Sequence, residues 1–323
     1  MTGESTTTGH PGHDLTSMGA RKLVKLDPSM PQLDVRFLSR ICLLLLFVTL
    51  PAFAQAPVTP AKIDIAGDWA VRVTEDLPFR SATFELGDYT GLPINAAARQ
   101  KASTWSASIL TLPEHMTRPF GPPIAMRSQA ANLRVQKVSD PVTQTLIAYT
   151  IEGLYGRPDR VIWMDGRPHP SEYAEHTWDG FSTGEVKGNQ LIVTTTHMKP
   201  DKLQRNGVPY SFEAKMTENF IRHGDFLTLV TTIDDPVYLE EPLIRTTQWA
   251  RSSDITPEQR FILDASDEIA NHPQGYVPSY PLGTRQDDFA IKHGLPFEAT
   301  LGGRETVYPE YELELRKMLA SPK

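Results

Sequence analysis

The sequence predicts a mainly β protein, an antiparallel β-barrel or sandwich with a short N-terminal helix and an irregular C-terminal tail. Three observations carry that expectation. Between residues 65 and 250, short runs place apolar side chains at every second position, as half-buried strands do. Turn-forming clusters separate the runs, among them Ser139-Asp140-Pro141, Lys187-Gly188-Asn189, His223-Gly224-Asp225 and Asp234-Asp235-Pro236. Helical stretches are few and short, the clearest being 96–102 and 311–319. A barrel is favoured over a sandwich because closure removes exposed strand edges.

The first fifty-odd of the 323 residues read as an address rather than as a fold. Arg36 and Arg40 precede the apolar run 41–48, and Ala52-Phe53-Ala54 follows. A positive segment, an apolar core and an A-x-A site make a secretory signal peptide, cleaved after Ala54. The apolar run is shorter than the roughly 20 residues that a membrane span needs. Met30 would start a signal of ordinary length. Residues 1–29 therefore read as a non-native or disordered leader and 30–54 as the signal. Residues 55–250 read as the β-barrel domain with an irregular N-terminal cover, and 251–323 as a wrapping segment with a terminal helix. A periplasmic or secreted destination follows, with no membrane span after cleavage. The one cysteine, Cys42, leaves with the signal, so neither disulfide nor thiol chemistry is expected. A net charge of −7 and the lack of a basic block disfavour nucleic acid and anionic membranes as partners.

In chain order, residues 65–74 form the first expected strand, with Trp69, Val71 and Val73 on one face. Residues 75–92 are loop-like, and Asn95 is placed to cap a helix over 96–102. Pro113, Pro119, Pro122 and Pro123 make 111–130 an ordered irregular segment, since proline cannot donate to a sheet ladder. Strands follow over 133–138, 145–151 and 160–165. The runs 179–186 and 190–197 form a hairpin on Lys187-Gly188-Asn189. Beyond a loop holding Pro200, Gly207 and Pro209, strands are expected over 212–222, 226–233 and 243–250. Residues 311–319 suggest the terminal helix.

The stretch 161–197 gathers Asp165, Arg167, His169, His176, Asp179 and His197, the densest set of groups able to move protons. Counting by twos puts Leu191, Val193, Thr195 and His197 on one face, and Met216, Glu218, Phe220 and Arg222 on another. If both faces look inward, Glu218 and His197 enter the interior and Arg222 is the nearest partner for Glu218. Two outcomes are open. The residues form an internal ion pair at one barrel end, or Glu218 and His197 act as acid/base groups facing a ligand cavity. The candidate catalytic residues are His197, Glu218 and Asp165. The candidate ligand contacts are Arg167, His169, His176, Trp178 and Arg222. Pro168 and Pro170 stiffen the 165–170 loop, which either holds Arg167 and His169 at a cavity rim or satisfies its own backbone through Asp165. The spacing of His169, His176 and Asp179 fits no familiar metal pattern, and no G-x-S-x-G, Walker or dinucleotide loop occurs. Neither metal nor cofactor is expected. Trp69, Trp163, Trp178 and Trp249 fall in or beside strands, as core or as cavity lining.

Two resemblances bear on this reading. The opening Gly67-x-Trp69 resembles the first strand of lipocalin-type barrels. More extensively, MDGRPHP (164–170), HTWDGFSTG (176–184), LIVTTTH (191–197), RNGVPYS (205–211), DDPVYLEEP (234–242) and DYTGLPINAAAR (88–99) resemble a group of exported bacterial proteins. The chain departs from that group at 185–189, where a tryptophan and an acidic residue would flank the glycine. The resemblance implies export and a shared β fold, and brings no activity, substrate or catalytic residue. The expected function is a barrel that binds a small, partly apolar organic molecule at its mouth. The alternatives are a cofactor-free lyase, isomerase or hydrolase working through Glu218 and His197, with Arg167 or Arg222 as anion clamp, and a structural role in the envelope.

Overall fold

Alternating burial closes the strands on themselves. The computed structural model describes residues 63–73, 80, 84–106, 108–109, 118–128, 131–154, 159–255 and 279–320. The leader and signal peptide expected over 1–54 lie outside the described residues. Nine strands form one closed barrel: β1 (Gly67–Arg72), β2 (Leu133–Ser139), β3 (Leu146–Glu152), β4 (Arg160–Trp163), β5 (Phe181–Lys187), β6 (Gln190–Thr196), β9 (Lys215–His223), β10 (Phe226–Asp234) and β11 (Leu243–Arg251). Their order around the wall is β1-β11-β10-β9-β6-β5-β4-β3-β2. A separate ladder joins β7 (Asp201–Lys202) to β8 (Pro209–Tyr210).

The expected antiparallel barrel is thus present, with one correction. Strands β4 and β5 run parallel, registered at Trp163 and Thr183. Parallel neighbours cannot be joined by a tight turn, because the chain must first return to the end from which it set out. Residues 164–180 make that return. The crossover explains why a histidine-bearing connection interrupts an otherwise hairpin-rich chain.

Inside the barrel, residues that alternate in sequence form rows. Leu191 and Val193 of β6, Phe220 of β9, Leu227 and Leu229 of β10 and Trp249 of β11 belong to one apolar cluster with Trp69, Leu133 and Ile162. Met198, Met216, Ile233 and Leu243 belong to a second, with Ile94, Leu203 and Tyr210. Each large apolar side chain so buried contributes roughly 1.5–3 kcal/mol. Trp69 and Trp249 are core residues, and their indole N–H groups donate to the carbonyls of Ile65 (2.9 Å) and Ala131 (2.7 Å). Between the clusters the inward row is polar: Thr195, Glu218, Thr231 and Thr247 are all buried.

Helix α1 (Ala96–Ser103) starts where the sequence places its cap, with Asn95 Oδ1 accepting the Ala98 N–H at 3.0 Å. Its Ala98 and Ala102 pack into the second cluster. Within the proline-rich segment, α2 (Pro122–Ala125) carries its prolines in the first turn, where a missing N–H costs nothing. The tail holds α3 (Asp288–His293), 3-10 turns over Phe297–Thr300 and Arg304–Val307, and α4 (Tyr311–Ala320). It is tied to the N-terminal cover by backbone bonds from Tyr89 to Thr300 (3.2 Å) and from Gly303 to Leu92 (2.8 Å). Among the described residues, no helix is long and apolar enough to cross a membrane.

Candidate functional site

Three places bring chemically active side chains together. The first is the barrel interior. Glu218 faces inward as expected, but its partner is Arg160 of β4, not Arg222. The guanidinium reaches across two intervening strands to hold both carboxylate oxygens, through Nη1 at 2.9 Å and Nη2 at 2.5 Å. Ser182 Oγ and Thr195 Oγ1 accept further bonds from Nη2 at 3.1 and 2.8 Å. An internal ion pair is thus present, but with a different cation and between the two apolar clusters rather than at one barrel end. Its side chains are 1% and 0% exposed, so neither is reached from solvent. Alternation in β4 carries the missed signal, since Arg160 shares the inward face with Ile162. Arg222 instead closes one end of the barrel. It donates to the carbonyls of Gly224 (3.0 Å) and Asp64 (2.7 Å) and lies over the Trp69 ring.

The second place is the crossover loop. His197 does not continue the inward row of β6. Its φ of 57° breaks the alternation and turns the ring toward residues 164–180. Gly180, at φ 64°, lets the loop press on β6, since a Cβ there would lie 2.6 Å from the Thr196 carbonyl oxygen. The hydrogen bonds of this corner have one consistent direction. The Ser171 carbonyl can only accept, so His197 Nε2 donates to it at 2.8 Å and a neutral His197 accepts at Nδ1. The donor is the Thr196 hydroxyl at 2.7 Å. With its proton so used, Thr196 Oγ1 accepts from His169 Nδ1 at 2.8 Å. His169 Nε2 in turn accepts from the Thr183 hydroxyl at 2.7 Å. Burial, then the neighbouring His197 and Lys215, push the His169 imidazole below its ordinary pKa. His176 donates from Nδ1 to the Met198 carbonyl at 3.0 Å, and its ring lies 5.1 Å from that of His197.

Asp165 and Arg167 satisfy each other in the same loop. The Arg167 Nε–H donates to Oδ1 of Asp165 at 2.9 Å, and the guanidinium caps the Trp163 ring at 3.5 Å. This pairing holds the Asp165 carboxyl below the usual carboxylate range. Asp165 and His197 thus belong to the loop and Glu218 to the interior. Among the described residues, no cluster of three or more His, Cys, Asp or Glu side chains is arranged to hold a metal.

The third place is a cleft of about 450 Å³ between the residues after α1 and the β7–β8 ladder. Sequence reasoning passed over it, because its walls come from distant and mostly irregular segments. Trp105, Tyr210, Phe212 and Tyr238 supply aromatic wall, and Lys101, Arg118 and Lys202 supply charge. Gly207 permits the wall to close. It has φ 88°, and a Cβ there would lie 2.3 Å from Cβ of Trp105. Lys202 is only 8% exposed, with its ammonium 5.1 Å from the Trp105 ring centroid and 4.8 Å from that of Phe120. Phe212 is 56% exposed and meets the His176 ring edge-on at 6.1 Å. Trp178 stands nearby beneath Arg118 and Lys199, at 4.9 and 5.5 Å. Of the candidate ligand contacts, His176 and Trp178 thus border the cleft through its lining residues. Arg167, His169 and Arg222 do not line it. A larger trough of about 1210 Å³ beside α4 has walls of glutamate, arginine and tyrosine, and α4 itself buries no side chain.

Comparison with family models, curated proteins and solved structures gives no match for the chain. Its chemistry is therefore read from the geometry.

Proposed function

We propose that this chain is an exported protein that binds a small, partly apolar organic molecule, held in the cleft beside the β7–β8 ladder. The observation that carries the reading is the exposed Phe212 ring in a concave aromatic wall of about 450 Å³. That volume lies in the range of small-molecule sites, and an exposed aromatic that lines a cleft offers apolar area without needing to reorder. The interior is a poorer candidate, because its mid-height is occupied by the Arg160–Glu218 pair. An acid/base enzyme would have to work from the histidine corner, as Glu218 has no solvent access. Export rests on the arginine–apolar–Ala-x-Ala pattern ending at Ala54.

Fragment screening by ¹⁵N–¹H correlation spectroscopy tests the binding reading. Saturable shifts should concentrate at residues 101–109, 200–212 and 237–238, and Phe212→Ala should weaken the best binder by about tenfold or more. Shifts that converge on the 165–170 loop, or a cleft silent to every fragment, would refute it.

A further inference from the structure

We infer that the ligand is a flat aromatic monoanion, a carboxylate or sulfonate on one or two rings, anchored by Lys202 and Arg118. The inference rests on the binding reading above and specifies its ligand class. The chain carries a net charge of −7, yet the cleft lining reverses that sign. Lys101, Arg118 and Lys202 face a single lining carboxylate, Asp201. Asp201 is itself partly used. Its Oδ1 meets Lys202 at a long 3.3 Å, and its Oδ2 accepts the Gly121 N–H at 3.3 Å. Asp235, behind the wall, is occupied by the N–H and hydroxyl of Ser211, at 2.7 Å each, and by the Val237 N–H.

The two principal cations are held rather than loose. Lys202 is fixed by the β7–β8 pairing, opposite Pro209, and its ammonium lies against the rings of Trp105 and Phe120. An ammonium has three donors, and one long contact to Asp201 leaves donors for a ligand. Arg118 lies over the Trp178 ring, and no carboxylate among the described residues pairs with it. A buried or stacked cation of this kind costs desolvation that only an anion offsets fully. The aromatic wall then selects what the anion is attached to. Phe212, Tyr238 and Trp105 line it, and aromatic side chains pack well against a planar apolar body.

The test compares 2-naphthoate with its uncharged isostere 2-naphthamide, by titration calorimetry on the full chain. Naphthoate should bind at least about tenfold more tightly than naphthamide. Its affinity should fall as NaCl rises from about 50 to about 500 mM. Lys202→Met keeps the stem and removes the charge. It should bring the affinities of the two compounds within about twofold of each other. Arg118→Gln, further from the packed wall, should narrow the preference in the same direction and guards against a Lys202 variant that fails to fold. Equal binding of both compounds to the wild type would overturn the anion inference and leave the binding reading standing. Titrations in which neither compound saturates, together with fragment spectra silent at the cleft, would overturn both.

Discussion

At the scale of single residues, the Arg160–Glu218 pair is the most deeply buried ion pair among the described residues. Both side chains are buried, and each leaves an uncompensated charge if the other is removed. Breaking such a pair costs about 3–5 kcal/mol, whereas replacing both members by apolar residues of similar size is often near neutral. Glu218→Gln and Arg160→Met should therefore each lower unfolding free energy by about that amount. The double variant Arg160→Met/Glu218→Met should recover most of the loss. Urea titrations of the four proteins check this, and additive losses in the double variant would show that the pair is not a unit. The sequence made half of this pair legible. Alternation in 214–222 placed Glu218 inside, but the nearest arginine on that face, Arg222, looked like the partner because sequence distance stood in for spatial distance. Arg160 sits on a four-residue strand, too short for its period to announce itself.

At the scale of elements, the 164–180 crossover determines the behaviour of the histidine corner. Hairpins and caps are local, and so they were legible: Asn95, the 188–189 turn and the alternation of β6, β9 and β10 all appear where the residues put them. The parallel pairing of β4 with β5 was not, since nothing in a strand's own alternation states the direction of its neighbour. His197 was misdirected for a related reason. A period of two extends only while the backbone stays extended, and φ turns positive one residue past β6. The corner's chemistry gives it a pH dependence. Folding lowers the His169 pKa, so the unfolded chain binds more protons near pH 6 than the folded one. This contribution to stability is fully present above about pH 6.5, the ordinary value, and is lost as pH falls through the lowered folded value. Calorimetric melting of the wild type should fall more steeply between about pH 7 and pH 5 than that of His169→Asn. Parallel profiles would mean that His169 takes up its proton equally in both states.

At the scale of the whole molecule, the barrel and its tail differ in how much they depend on each other. Helix α4 has no buried residue, with Leu313 and Leu319 61% and 57% exposed. Deleting residues 311–323 should move Tm by less than about 2 °C, because little apolar area returns to water. Differential scanning fluorimetry of the truncated chain checks this, and a larger drop would mean that α4 packs against something essential. The cleft was illegible at this scale too. Its lining runs from Lys101 to Ser279, and only the tertiary fold brings those segments side by side.

The buried ion pair also bears on how the wall is completed. Arg160 and Glu218 belong to strands that do not touch, with β5 and β6 between them. A chain that has assembled only β9 to β11, or only β2 to β4, therefore holds an orphan charge in its apolar face. Shifting either strand by one position would rotate that charge outward along with its whole inner row. The pair thus ties the register of β4 to that of β9 across the two strands between them. A slip within the β4-β5-β6-β9 segment that turned either side chain outward would leave the other charge buried without its partner.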